Sequence, residues 1–136
     1  MELEVGMYVR TKWGIGKYIE DYTNSQNLTW RVLQGCSNYN NQEDWQNLFC
    51  DSEILKASHL LLGDDKEDGV IEVGDYVNGV LITDISEDNK GKYVFGYSKD
   101  GFEGEIWFYN NEIKSIVTKE QFEAMQYEIK WDLETN

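Results

Sequence analysis

Few residues of this chain carry reactive chemistry, and each group of them invites one specific reading. Asp100 with Glu112-Ile113-Lys114 has the residue types of a magnesium-dependent nuclease, in which carboxylates on adjacent strands hold Mg²⁺ and a lysine steadies the attacking water. Glu-Ile recurs, however, at Glu53-Ile54, with a lysine one place further on at Lys56, so a repeated structural unit accounts for the motif without catalysis. His59 is the single histidine, and a nucleophilic pair with Cys36 or Cys50 has nothing behind it but residue type. No Cys-x-x-Cys spacing is present for zinc, and the two cysteines are expected to be reduced thiols. The run from Asp64 fails as a calcium loop, because Lys66 occupies its third position and Asp75 its twelfth, where an EF-hand needs an oxygen ligand and a bidentate glutamate. No metal and no cofactor is expected, and the chain reads as a non-enzyme.

One stretch is locally basic. Arg10, Lys12 and Lys17 stand beside Trp13 and Tyr18, which would let a small barrel hold a nucleotide or another phosphorylated ligand by charge and stacking. The competing reading is a β-hairpin in which Gly14 and Gly16 permit a turn or a close backbone approach, while the long basic side chains keep the edge soluble. The surrounding field favours the hairpin. Among 136 residues, 26 are acidic and 12 basic, and a net charge of −14 repels nucleic acid and favours basic partners. With 40% hydrophobic and 14% aromatic residues, the chain still has enough apolar surface to fold. It has no basic leader and no run of eighteen apolar residues, so a soluble, cytoplasmic protein without membrane contact is expected.

The elements that must position these groups come in two similar sets. Glu4 to Val9 reads EVGMYV and Glu72 to Val77 reads EVGDYV, each followed by a strand, a turn and a second strand, and later by a short strand opening with Glu-Ile. Strands are expected at LTWRVLQ, GVLITDI, KYVFGYS and GEIWFYN, where β-branched and aromatic residues are bounded by Asn, Asp, Gly and Ser. The expected class is mostly β: two tandem small SH3-like barrels with a short C-terminal helix. Residues 1–62 form the first barrel repeat, 63–70 an acidic linker, 71–117 the second repeat, and 118–136 a helix and terminal arm. Each unit of about 65 residues is too small to be comfortably stable alone, which is a physical reason for pairing two. Val5, Val9, Val73 and Val77 are expected to be more buried than Arg10 and Asn78. Thr118 to Gln121 has capping-box form and places Phe122 and Met125 on one helical face, and Ile129, Trp131 and Leu133 then alternate with charges as in a strand.

At VGMYVRTKWGIGKYIE the chain resembles the opening of KOW or SH3-like barrels. The wider pattern, including EIKSIVTKEQF, resembles a group of small proteins encoded by phages and prophages of Gram-positive bacteria. That resemblance implies a fold and a setting, in the cytoplasm of a host cell, and it carries over no catalytic residue. The stretch from Asn24 to Asn47 departs from it.

In Tyr93 to Tyr97 and Ile106 to Tyr109 both alternating sets of side chains are apolar or aromatic, so filling one barrel leaves a second aromatic face to be covered by the other half or by a partner. These features point to an acidic binding protein that docks on a basic protein surface. With the phage-like resemblance, the concrete form is an inhibitor of a host nucleic-acid-handling or defence complex, of the DNA-mimic or anti-CRISPR kind. Its contact residues are expected among the acids Glu2, Glu4, Asp64, Asp65, Glu67, Asp68, Asp84, Glu87 and Asp88 and the aromatics Tyr93, Tyr97, Trp107 and Tyr109. The nucleotide-binding barrel stands as the alternative, and the nuclease behind it.

Overall fold

The computed structural model describes residues 2–38, 47–97 and 104–123. They form two five-stranded antiparallel sheets, and the second is followed by a short helix that begins at 119. In the first sheet β1 (Tyr8–Thr11), β2 (Gly14–Thr23), β3 (Thr29–Gln34) and β4 (Leu48–Phe49) follow one another as a meander, and β5 (Ile54–Ser58) returns to pair with β1. The second sheet repeats the order with β6 (Tyr76–Val77), β7 (Val80–Asp88), β8 (Gly91–Tyr97), β9 (Glu105–Tyr109) and β10 (Ile116–Val117), the last pairing with β6. Asp100, Met125 and the expected terminal strand at Ile129, Trp131 and Leu133 lie outside the described residues.

The likeness of the halves extends to individual hydrogen bonds. Gly6 and Gly74 turn the chain into the first strands at φ values of 99° and 101°, a region in which a side chain is costly. The Gly6 amide donates to the Tyr18 carbonyl at 2.8 Å and the Gly74 amide to the Ile82 carbonyl at 2.9 Å. Where β2 meets β3 the register slips between Tyr18 and Glu20, and where β7 meets β8 it slips between Ile82 and Asp84, the same place in each repeat. A 3-10 turn precedes the returning strand in both halves, closed by the Cys50 amide donating to Glu53 at 2.8 Å and by the Tyr109 amide donating to Glu112 at 3.0 Å. The hairpin loops differ. Asn78-Gly79 joins β6 to β7 with positive φ at both residues, as a two-residue type I′ turn requires.

The repeated sextets therefore occupy equivalent positions, but only their Tyr-Val pairs lie in strands. Val9 and Val77 are fully buried, whereas Val5 is 68% exposed and Val73 48% exposed, against expectation. Both of the latter precede the turning glycine and so lie outside the ladder that the alternation describes. Two cores result. Val9, Tyr18, Leu33, Cys36 and Phe49 form one, and Leu62, Ile71, Val77, Ile82 and Val94 form the other, with Ile15 of β2 packed against this second core from the first half. The segment read as a solvated linker exposes Asp64, Asp65, Lys66 and Asp68 but buries Gly69 and Val70.

Arg10 reverses its expected placement most completely. Its side chain has no accessible surface, and its five N–H donors meet five acceptors: the Val70 carbonyl, both oxygens of Asp75 and both oxygens of Glu120, at 2.6 to 2.9 Å. Asp75 belongs to the second repeat and also accepts the Glu72 and Lys119 amides. Burial alone would lower the guanidinium pKa, but the hydrogen bonds to Asp75 and Glu120 outweigh it and hold Arg10 charged. The residue that would offer a cation to a ligand instead fastens the first half to the second half and to the terminal helix. At the helix start, Thr118 and Gln121 exchange the expected capping bonds: the Thr118 amide donates to the Gln121 side chain and the Gln121 amide to the Thr118 hydroxyl. Phe122 packs on Tyr76 with ring centroids 5.1 Å apart.

Candidate functional site

Strands β7, β8 and β9 turn one face to the second core and present the other outward. Val94 is paired with Ile85 and Phe108, all three contributing to the core, so the residues on either side of Val94 point away from it. Register then fixes the outward rows. Tyr93, Phe95 and Tyr97 on β8 stand opposite Tyr109, Trp107 and Glu105 on β9, while Asp84 on β7 stands opposite Phe95 and Ser86 opposite Tyr93. The rings form one surface. Tyr93 and Trp107 stack at 5.0 Å and 12°, Tyr93 meets Tyr109 at 5.5 Å, and Phe95 meets Trp107 at 6.3 Å. Trp107 remains 48% exposed and Tyr97 57% exposed, so the mutual packing leaves an open apolar platform.

Carboxylates border this platform. Asp84 and Glu105 are exposed at its two sides, and Asp88 accepts the Tyr109 hydroxyl. That bond pushes the Tyr109 phenol up to about 12 and holds the Asp88 carboxyl below its ordinary range. An open cleft of about 670 Å³ adjoins the platform at Tyr109, with Asp64, Lys90, Lys92 and Glu112 on its walls. Of the expected contact residues, the structure thus brings Asp84, Asp88, Tyr93, Tyr97, Trp107 and Tyr109 to one face, with Asp64 at the neighbouring cleft. Phe95 and Glu105 belong with them and were missed; the i, i+2 spacing of Tyr93-Phe95-Tyr97 and of Glu105-Trp107-Tyr109 was the signal that would have found them.

The other acids serve elsewhere. Glu87 pairs with Lys92 in the ladder, on the opposite parity from Asp84 and Asp88. Glu2, Asp65 and Asp68 are exposed, and Asp64 accepts the Lys66 and Glu67 amides, which lowers its pKa. Glu4 and Glu67 hold His59 between them, with Glu4 2.7 Å from Nε2 and Glu67 3.0 Å from Nδ1. Both ring nitrogens donate only in the imidazolium, so the hydrogen bonds to Glu4 and then Glu67 raise the His59 pKa above its usual 6.5. The stabilisation from this bridge is therefore complete below about pH 6.5 and is lost as pH rises through the higher folded-state value. Urea midpoints from pH 6 to 9 should show that decline in the wild type and not in His59→Gln. An imidazole titrating at or below its ordinary value by NMR would contradict the bridge.

The remaining candidates resolve into structural roles. In the basic hairpin Arg10 and Tyr18 are buried, Lys12 lies over the Trp13 ring at 4.8 Å, and Lys17 lies over Tyr8 at 5.8 Å, so the five residues do not make one open phosphate surface. Glu112 closes its 3-10 turn as Glu53 does, and Asp75 is enclosed against Arg10. Cys36 and Cys50 are unbridged; burial raises both thiol pKa values, and Cys36 lies 3.5 Å from the Thr11 hydroxyl. Among the described residues no three of His, Cys, Asp and Glu converge as metal ligands, and no helix is long and apolar enough to cross a membrane. No family model, curated protein or solved structure matches the chain.

Proposed function

We propose that this chain is a non-enzymatic binding protein, built as two tandem SH3-like barrels, that docks on a basic protein surface through the β7–β9 face of its second half. The observation that carries this reading is the open ring platform bordered by Asp84, Asp88 and Glu105 on a chain of net charge −14. The recurrence in both halves of a fifth strand returning to the first after a 3-10 turn supports the SH3-like form. Aromatic groups supply area to bury, and the acids steer the encounter and reject polyanions. Together with the resemblance to phage and prophage proteins, the chemistry favours a target that itself binds nucleic acid in the host cytoplasm, a nuclease or defence complex whose phosphate-binding surface the carboxylates occupy.

Neutralising the border tests this. A partner captured from host lysate should associate with Asp84→Asn/Asp88→Asn/Glu105→Gln about tenfold more slowly than with the wild type at low salt. The difference should vanish at 1 M salt, where the Debye length is about 3 Å. Folding should be nearly unchanged, since exposed charges contribute little stability. Equal association rates at low salt would refute docking through this face.

A further inference from the structure

We infer that the β7–β9 face recognises arginine side chains of its basic partner, taking the guanidinium onto the rings and closing it against the bordering carboxylates. This inference rests on the docking reading above and names the chemistry of its contact. Directly opposed residues on antiparallel strands have Cβ atoms about 5 Å apart, so Asp84 beside Phe95 and Glu105 beside Tyr97 each put a carboxylate within reach of a cation lying on the neighbouring ring. A guanidinium suits that pairing better than an ammonium, because it is flat, stacks on a ring face and offers forked donors at its edge.

The chain contains a small version of the same arrangement. Arg31 lies with its guanidinium carbon 5.6 Å from the Tyr18 ring centroid, while its nitrogens donate to Asp21 at 3.1 Å and Asp51 at 2.9 Å. A ring with carboxylates at its margin is thus already used by this fold to hold arginine. The duplication adds an independent contrast. By ladder register, Val32 and Leu48 are the first-half counterparts of Phe95 and Trp107, and both are buried. The second half places larger aromatic side chains at these positions and leaves Trp107 half open, although a covered aliphatic pair meets the needs of the fold. A second copy of the chain is a poor occupant, since each copy brings the same acids and a net charge of −14.

The test uses fluorescein-labelled twelve-residue peptides of alternating Gly-Arg, Gly-Lys and Gly-citrulline, titrated with the intact chain and followed by anisotropy at 50 and 500 mM salt. The arginine peptide should bind about five- to tenfold more tightly than the lysine peptide. Citrulline should abolish binding, and Trp107→Ala should erase the preference for arginine over lysine. Tyr97→Ser, at a more exposed ring, should keep the wild-type thermal midpoint and weaken arginine binding, Trp107→Ala should lower the midpoint modestly through its lost stacking on Tyr93 while the chain still folds, and amide shifts should map to the β7–β9 face. Equal affinity for the two cationic peptides, indifferent to Trp107→Ala, would overturn arginine recognition and leave acidic docking standing. Failure of both cationic peptides to bind at 50 mM salt would refute the docking reading as well. Self-association that Trp107→Ala removes would overturn the inference in favour of a second copy.

Discussion

Arg10→Met should cost about 3–5 kcal/mol of folding stability, the range for removing one partner of a buried ion pair, because it leaves Asp75 charged, enclosed and facing a thioether. The wild-type guanidinium satisfies two carboxylates and a backbone carbonyl at once, so the loss exceeds that of a single hydrogen bond. Arg10→Lys should also destabilise substantially, since an ammonium has three donors and no fork to match two carboxylates and a carbonyl. Urea denaturation is the suitable measurement, because guanidinium salts screen the pair under study. The midpoint should fall with little change in slope. With whole domains stable by only about 5–15 kcal/mol, a loss of this size removes a large share of the total. A midpoint unchanged in Arg10→Met would mean that the buried pair does not join the halves energetically.

Gly96→Ala is the other large effect expected, and its direction runs against the usual rule. Replacing a strand glycine with alanine ordinarily stabilises by restricting the unfolded chain. Here a Cβ on Gly96 would fall 1.9 Å from the carbonyl oxygen of Leu81 and 2.9 Å from its carbonyl carbon, which are backbone atoms that cannot rotate aside. The β7–β8 ladder would have to open, at a cost of roughly 2–4 kcal/mol, at or above the usual range for overpacking. Hydrogen exchange should accelerate at the amides of Ile82 to Ile85 and Val94 to Tyr97 before the first sheet responds. Unaltered protection there would show that the ladder absorbs the methyl. The first half makes the opposite choice at the equivalent diagonal contact, two residues along the strand from the directly opposed pair. Leu33 stands where the second half has Gly96, and Gly16 stands where it has Val80, with a Cβ on Gly16 falling 3.1 Å from that of Leu33. Each half keeps one small and one large residue there, exchanged across the ladder.

The class of fold was legible because it depends on local signals. Alternation and turn residues place β3, β7, β8 and β9 close to their observed bounds, whereas the repeated Glu-Ile marks the end of a 3-10 turn in both halves, with the returning strand opening at Ile54 in the first and only at Ile116 in the second. The second aromatic face was legible in outline for the same reason, since both alternating sets of these strands are apolar or aromatic; that the first half leaves it open was not. Arg10 was not, because its environment is made by Asp75 and Glu120, 65 and 110 residues away, and no window of sequence contains them. Val5 and Val73 misled because their hydrophobicity says nothing of the turn that follows them. The acids were legible as a total and not as a distribution: Glu4 and Glu67 hold a histidine, Asp75 an arginine, and Asp64 a loop, which leaves the border of the aromatic face as a small part of the charge.

The pairing of Arg10 with Asp75 also bears on symmetry. It joins unlike places in the two repeats, since Arg10 aligns with Asn78 and Asp75 with Met7, so the contact is head-to-tail and not self-complementary. A head-to-tail contact between identical units propagates into a ring or an open filament. Here the first unit has Met7 where an incoming arginine would need a carboxylate, and the second has Asn78 where a further unit would need an arginine. One departure within the repeated sextet, Met7 against Asp75, and one just after it, Arg10 against Asn78, give the contact a beginning and an end, and confine to one pair of units an interface whose geometry would otherwise polymerise.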